Sequence, residues 1–281
     1  IAYGLRNGYQ INAANPASYS AVDSLTFLFD FGMSLQNANF KENDVKTNAK
    51  NSTIDYIAMQ FRLWERMGMT VGFLPYSIVG YNMNQVKSIS TDEYGNPINS
   101  LSTYSGDGSL QQVFMGLGFK VLESLSVGAN FSYLYGDITH SVNTTFSNTN
   151  AYSSVRSEKM EISDYKLDFG LQYTHNFGKK HKINLGAVYS FGHDLNGNGY
   201  NLKETYQSGS TIPMTQTVDT LKNAFSLPHS LGIGATYVYN NRLTVGVDYT
   251  LQKWEEVKFF NEKGNFQNRS KISMGAEFLP S

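Results

Sequence analysis

The sequence of 281 residues contains no cysteine, only six prolines and only 16% charged residues. The absence of cysteine excludes disulfides, thiol catalysis and thiolate metal sites. A formal net charge of −1 without a basic cluster excludes the electrostatic footprint of a nucleic-acid-binding protein. No apolar run approaches the roughly 20 residues that a transmembrane helix needs. Aromatic residues make up 14% of the chain, which is unusual beside so little charge.

Apolar and polar residues alternate with a period of two along most of the chain, as in β-strands that have one apolar face. In the first such segment Phe27, Phe29 and Phe31 share one face, while Asp30 and Gly32 share the other. No helical stripe of useful length is present. We predict about ten strands, near residues 25–36, 54–64, 67–75, 110–122, 125–138, 160–177, 182–193, 229–239, 242–254 and 270–279.

Short and long connections alternate between these strands. The tight turns fall at residues 65–66, 123–124, 178–181 and 240–241. The long loops, rich in Asn, Ser, Thr, Gly and Tyr, fall at residues 37–53, 76–109, 139–159, 194–228 and 255–269. Successive connections of an up-and-down barrel lie at opposite ends, so all the tight turns share one end. This asymmetry is typical of outer-membrane barrels, with periplasmic turns and extracellular loops.

A soluble sandwich or lipocalin-like barrel is the alternative explanation for the alternation. Its polar face would meet water and carry many Lys and Glu residues. Here the polar face consists mostly of Gly, Ser, Thr, Asn and Gln, which suits a crowded or wet lumen, and aromatic residues gather near the strand ends. We therefore predict an all-β fold, a transmembrane antiparallel up-and-down β-barrel in a Gram-negative outer membrane, whose apolar face contacts lipid.

Three segments resemble the FadL family of outer-membrane transporters for long-chain fatty acids and other hydrophobic compounds. They are NPASYSAVDSLTFLFDFG at residues 15–32, SLPHSLGIGATYVYNNRLTVGVDYTLQKWEEV at residues 226–257, and ISMGAEFLPS at residues 272–281. In that family an N-terminal hatch with an Asn-Pro-Ala motif lies inside a barrel of fourteen strands. The resemblance implies a hatch-like segment at residues 1–24 and a barrel at residues 25–281. Since about ten strands are visible, we expect the chain to be incomplete at both ends.

Asn15, Pro16 and Ala17 form the first candidate site. Proline fixes φ and asparagine before proline favours a turn, so these residues can simply deliver the chain to the first strand. The resemblance offers a second interpretation, in which they form a plug that shifts to open a path for a ligand. Both interpretations remain open at the level of the sequence.

Pro75 and Tyr76 form the second candidate site, at the point where the third strand should continue. Proline lacks the N–H of a ladder hydrogen bond, so it belongs at a strand end, an edge or a bulge. The resemblance implies a kinked third strand that opens a lateral portal for apolar ligands, with these two residues at or near the distortion of the wall.

Charged residues on the lumen side of the predicted strands form the third candidate group. They are Arg62, Lys120, Lys166, Asp168, Asp248 and Glu277. One interpretation is a network of ion pairs that fills and stiffens the lumen. The alternative is that Arg62 or Lys120 contacts the carboxylate of a ligand.

The sequence offers little for catalysis. The five histidines, at positions 140, 175, 181, 193 and 229, are dispersed and show no metal-ligand spacing. His229 and Ser230 are adjacent, but neighbours on a strand point to opposite faces and cannot form a nucleophile–base pair. No GxSxG motif or phosphate-binding loop is present. We predict that the protein is not an enzyme and has no metal site and no cofactor.

Two functions follow from the resemblance. The first is passive uptake of hydrophobic small molecules such as long-chain fatty acids, by hatch movement and lateral release. The second is that of a non-transporting subunit in an outer-membrane protein secretion or assembly complex, as known for FadL-like proteins of the Bacteroidota, whose envelope proteins have similar loop composition. The expected partners are outer-membrane lipid, a hydrophobic ligand and an envelope protein complex, and no nucleic acid.

Overall fold

The computed structural model describes residues 2–42, 45–91, 94–148, 150–207, 209–263 and 266–280. Strands make up most of the chain, and 3₁₀ helices form at Pro16–Ala21 and Trp254–Glu256. Among the residues described, no helix is long and apolar enough to cross a membrane. The strands are β1 (Phe27–Glu42), β2 (Val45–Trp64), β3 (Met67–Thr91), β4 (Pro97–Lys120), β5 (Leu125–Phe146), β6 (Ser153–Phe177), β7 (His181–Ser190), β8 (Asp194–Leu195), β9 (Gly197–Tyr206), β10 (Thr215–Lys222), β11 (Phe225–Ser226), β12 (Ser230–Tyr239), β13 (Leu243–Gln252) and β14 (Arg269–Phe278).

Ten of these strands form one antiparallel wall. Their order is β1-β2-β3-β4-β5-β6-β7-β12-β13-β14, so each strand lies beside the next wall strand along the chain. The predicted all-β, up-and-down architecture is confirmed. Within the described residues β1 and β14 do not pair with each other, so the wall is an open, curved sheet rather than a closed cylinder.

The wall is apolar on its outer face and polar on its inner face, which is the reverse of a soluble barrel. Large apolar side chains point outward, and Phe131 and Leu185 are 53% and 48% exposed. Polar side chains point inward, and Gln60, Gln172 and Asn184 are each only 1% exposed. An apolar outer surface with buried polar residues inside is the pattern of a barrel whose outer solvent is lipid.

The tight turns lie where the sequence predicts them, at residues 65–66, 178–180 and 240–242 among others. Asn240 and Asn241 both have positive φ, 51° and 53°, as the central residues of a type I′ hairpin turn require. We call this end of the barrel the turn end and the opposite end the loop end.

The predicted long loops at 37–53, 76–109 and 139–159 are wrong over much of their length, because the strands continue through them. β3 alone has 25 residues, although about 9–11 suffice to cross a membrane. Beyond the membrane both faces of these strands carry Asn, Ser and Thr, so the apolar alternation stops while the backbone ladder goes on. The predicted loop at 194–228 also contains strands, and its β9 extends the wall by pairing with β6.

Candidate functional site

A row of four glycines crosses the inner face of the wall near the turn end. Gly68 on β3 pairs with Gly118 on β4, Gly118 pairs with Gly128 on β5, and Gly128 pairs with Gly170 on β6. Since glycine has no side chain, the row forms a bare strip of backbone. The 3₁₀ helix Pro16–Ala21 lies directly against it. We call these four residues the glycine seat and residues 2–24 the hatch.

The contact between hatch and seat leaves no room for side chains. A Cβ atom on Gly128 would lie 2.3 Å from the carbonyl carbon of Pro16 and 2.5 Å from the backbone nitrogen of Ala17. A Cβ atom on Gly68 would lie 2.0 Å from the carbonyl oxygen of Tyr19. These neighbours are backbone atoms, so no change of rotamer can relieve the overlap. The hatch can occupy this position only because the seat is made of glycine.

Asn15 fixes the start of the hatch helix and is completely buried. Its side-chain oxygen accepts a hydrogen bond from the backbone nitrogen of Ala17 at 3.1 Å, as a helix N-cap does. Its amide nitrogen donates to the carbonyl oxygens of Tyr3, at 2.8 Å, and Leu171, at 3.2 Å. A single amide therefore joins the helix, the N-terminal segment of the hatch around Tyr3 and β6 of the wall.

A second polar contact joins the hatch to β6. The Arg6 guanidinium donates to the Gln172 side-chain oxygen at 3.2 Å and to the Ala17 carbonyl oxygen at 3.1 Å. The Gln172 amide nitrogen in turn donates to the carbonyl oxygens of Tyr3 and Leu5, each at 3.0 Å. Because Gln172 is buried, these bonds replace the water that its amide group would otherwise need.

A third contact holds the N-terminal end of the hatch against β13. The backbone nitrogen of Ala2 donates to an Asp248 carboxylate oxygen at 2.5 Å. The Tyr3 hydroxyl and the Thr250 hydroxyl are 2.9 Å apart. Together with the seat, these contacts tie the hatch to strands on both sides of the lumen.

Above the hatch, on its loop-end side, lies a lumen cavity of about 440 Å³. Its floor includes Ala13 and Ala14 of the hatch. Its wall includes Lys166 and Asp168, which form an ion pair, and Ser190, whose hydroxyl donates to Asp168. The remainder of the lining is mixed, because polar side chains such as Gln112, Asn130 and Gln252 lie among apolar ones. The cavity therefore suits a small molecule that has both apolar and polar groups. Its other lining residues include Leu74, Tyr76, Phe114, Val188, Phe191 and Leu227.

An apolar cluster closes the lumen at the loop end. The segments that follow β7 and β13 fold back against the inner face of the wall and place Phe225, only 2% exposed, at the centre. Its ring packs edge-to-face on Phe259 and Phe260, at centroid distances of 5.7 and 5.0 Å. We call this cluster the apolar cap; its buried members are Leu110, Leu134, Ile138, Ile162, Leu195, Ala224, Phe225 and Leu227.

The wall separates between β2 and β3. The two strands pair only where residues 57–64 of β2 meet residues 67–73 of β3. Beyond this point β2 stays with β1 and β3 stays with β4, and a gap of about 1230 Å³ lies between the two hairpins. The pairing of β3 with β4 also shifts register between Pro75 and Ser77, which leaves Tyr76 as an extra residue. The structure thus places Pro75 and Tyr76 where β3 leaves β2, between the gap and the lumen cavity.

The six charged residues of the sequence analysis fall into separate groups rather than one network. Arg62 and Lys120 line the same pocket at the turn end. Lys166 pairs with Asp168 in the lumen cavity, and Asp248 binds the hatch. Glu277 is exposed on β14, at the free edge of the wall.

The histidines do not assemble a catalytic site in the described part of the chain. His229 Nδ1 lies 2.7 Å from the Tyr189 hydroxyl, and His193 Nε2 lies 3.6 Å from an Asp164 carboxylate oxygen. Neither hydrogen-bonds to a serine hydroxyl. No group of three His, Asp or Glu side chains able to hold a metal ion occurs among the residues described.

Sequence reasoning missed the glycine seat and the apolar cap. The seat has a signal in the sequence, because each of β3 to β6 carries a lumen-facing glycine close to a tight turn. The cap has a weaker signal. Its segment AFSL, residues 224–227, is a short apolar run inside a polar connection and looks like a strand start rather than a lumen plug.

Comparison with known proteins gives one family and several similar folds. A family model described as BamG matches residues 5–281. None of the curated proteins matches the chain in sequence.

Among solved structures, the toluene transporter TbuX of Ralstonia pickettii has a TM-score of 0.62 at 16% identity, covering 99% of this chain and 80% of that one. The toluene transporter TodX of P. putida has a TM-score of 0.64 at 14% identity, covering 99% and 78%. A FadL homologue of Pseudomonas aeruginosa has a TM-score of 0.53 at 13% identity, covering 95% and 71%. The resemblance to the FadL family is confirmed for the fold.

Proposed function

The chain belongs to the BamG family, and from this premise we propose that it is a structural subunit of an outer-membrane protein assembly complex. In this role the FadL-type barrel contributes a rigid wall in the membrane and a lumen that stays closed. We further propose that the turn end faces the periplasm and the loop end faces the outside. The proposal agrees with the alternative function that the sequence suggests.

The observation that carries the proposal is the fixed position of the hatch. Displacing it would break the hydrogen bonds of Asn15, Arg6 and Asp248 together. Each hydrogen bond contributes about 0.5–1.5 kcal/mol net. It would also expose the backbone strip of the glycine seat. A gate that opens frequently needs a second arrangement with a similar free energy. These contacts favour a single arrangement of the hatch.

Gentle extraction of the tagged, full-length protein from native outer membranes tests this function. We expect a set of envelope proteins at constant ratio, and lower levels of other outer-membrane barrels when the protein is depleted. Depletion should leave the uptake of a labelled long-chain fatty acid unchanged. A barrel that elutes alone, with normal levels of other barrels after depletion, would contradict the proposal.

A second candidate function is uptake of hydrophobic small molecules with lateral release. The observation that favours it is the lumen cavity beside the gap between β2 and β3, with Tyr76 lying between them. A cavity of about 440 Å³ is within the size range of small-molecule sites. The solved relatives described as toluene transporters share this fold.

Binding of toluene and of a fluorescent long-chain fatty acid to the purified barrel separates the two functions. Uptake predicts saturable binding that Val188→Trp, which fills the cavity from β7, reduces by at least about tenfold. Val245→Trp, which adds the same group to the lipid face of β13, is the matched control. Absence of saturable binding of either compound would leave only the structural role.

A further inference from the structure

Four basic side chains line a single pocket of about 270 Å³ at the turn end. They come from four different elements, namely the hatch, β2, β4 and β7. Asp23 is the one carboxylate among the residues that line this pocket, so four positive charges face one negative charge. The four basic residues are Arg6, Arg62, Lys120 and Lys182.

Three of these cations have no acidic partner among the residues that the structure describes. Arg6 donates to neutral oxygen atoms of the hatch and of β6. Arg62 donates to the backbone carbonyl oxygens of its own turn. Lys182 is half-buried and forms no ion pair with a described carboxylate. Lys120 lies 3.6 Å from Glu123, whose side chain is 81% exposed at the rim.

The pocket lies on the lumen side of the wall, which argues against a membrane lipid as its occupant. Arg62, Lys120 and Lys182 all point into the lumen, while neighbours such as Leu63 and Phe119 point to the lipid face. A lipid head group outside the wall therefore lies on the wrong side of the sheet. An occupant must enter through the turn end, which the proposed orientation places in the periplasm.

We propose that this pocket binds an acidic segment of another protein, whose carboxylates supply the missing counter-ions. Arginine and lysine donate strong charge-assisted hydrogen bonds to carboxylates. Neutralising an excess of three positive charges takes more than one carboxylate, and the four cations come from four separate elements that line the pocket. A chain segment with neighbouring Asp or Glu side chains meets both conditions. This inference rests on the proposed function, since it names the chemistry of a partner within the complex.

Binding of a fluorescein-labelled hexaglutamate peptide to the purified full-length barrel in non-ionic detergent tests the proposal. We expect saturable binding that weakens as salt rises, because added ions screen exposed charges. The double variant Lys120→Gln/Lys182→Gln should weaken binding by at least about tenfold. The matched control, Lys179→Gln/Lys180→Gln, removes two charges from the exposed turn at the same end and should change affinity by less than about twofold.

Three results would overturn the proposal. The first is that the wild-type barrel shows no saturable binding of the peptide. The second is that the pocket variant and the control variant weaken binding equally. The third is that inorganic phosphate occupies the pocket as tightly as the peptide does. The last result would assign the site to a small oxyanion. Heat-modifiable gel mobility verifies that each variant is folded. Failure here is distinguishable from failure of the proposed function, since co-purification and barrel levels are measured on the wild-type protein.

Discussion

The two ends of the lumen are closed by different chemistry. At the turn end the hatch lies on bare glycine backbone and is held by directional hydrogen bonds to buried amides and a carboxylate. At the loop end the apolar cap is held by packing of Phe225 and its neighbours, with few hydrogen bonds between side chains. Both closures bury their central residues almost completely.

The difference teaches how specific each closure is. Hydrogen bonds and backbone contact define one position for the hatch, because a small shift breaks several bonds at once. Hydrophobic packing is non-directional, so the cap can tolerate rearrangement as long as its apolar area stays buried. We therefore expect the hatch to respond to changes of geometry, and the cap to respond to changes of apolar volume.

The largest expected effect is on the cap. Phe225→Ala should reduce the free energy of opening the cap by about 3–5 kcal/mol, because it removes a buried aromatic ring and leaves a cavity. Hydrogen exchange of the Ser226 and Leu227 amides, which bond to Lys258 and His193 carbonyl oxygens, reports this opening. Ile212→Ala, at an exposed position of the same loop end, is the control and should leave the exchange unchanged.

If Phe225→Ala also accelerated exchange of the Ala17 amide in the hatch, the two closures would be coupled. Independent closures predict protection of that amide within experimental error of the wild-type value. This outcome decides whether the lumen has two plugs or one continuous core.

The next effect is on the glycine seat. Gly128→Ala should destabilise the seated hatch by about 1–3 kcal/mol, the usual cost of overpacking, because the new Cβ would overlap Pro16 and Ala17 backbone atoms. Gly80→Ala is the matched control on β3, since a Cβ there meets nothing within 4 Å. Urea unfolding followed by heat-modifiable gel mobility measures the stability of both variants, and hydrogen exchange of the Ala17 amide measures the stability of the seated hatch. Equal stability of Gly128→Ala and Gly80→Ala would contradict the claim that the hatch needs glycine in the seat.

The sequence predicts the wall better than the lumen. The membrane part of β5, β6 and β13 alternates strictly, because lipid on one side and a crowded lumen on the other impose opposite polarities. The extensions beyond the membrane were missed because water lies on both sides of them. Within the lumen, the Asn15-Pro16-Ala17 motif marks where the hatch begins to turn, but the partners of Arg6 and Gln172 depend on pairings between distant strands.

A smaller effect is expected from the amide of Asn15. Asn15→Asp keeps the oxygen that accepts from Ala17 but loses donation to the Tyr3 and Leu171 carbonyl oxygens. Asn15→Ala loses both functions, and loss of a helix N-cap alone costs about 1 kcal/mol. We expect Ala17 amide exchange to be faster in Asn15→Ala than in Asn15→Asp. Equal exchange in the two variants would mean that the bonds to the Tyr3 and Leu171 carbonyl oxygens, which both variants lose, hold the helix rather than the cap.

The smallest expected effect is the pH dependence of the cap. Hydrogen bonds from Lys258 and then from Ser226 lower the pKa of Asp194 below its usual value near 3.8. Because the pKa of Asp194 is lower in the folded state, its contacts stabilise the cap fully at pH values above the unfolded pKa. This stabilisation is lost as the pH falls through the folded pKa. Because the Asp194 side chain is 54% exposed, solvent screening keeps the effect small.

Trp254, next to the cap, can report this titration. Trp64→Phe leaves Trp254 as the only tryptophan, since the chain has two. We expect its emission to change below about pH 4, and Asp194→Asn to remove that change. Glu161, whose pKa is lowered by Lys159 on the outer face of β6, provides the control. Glu161→Gln should leave the Trp254 signal as it is. A loss of the signal in both variants would mean that acid acts on the extended sheet as a whole, and the cap would then not be an independent closure.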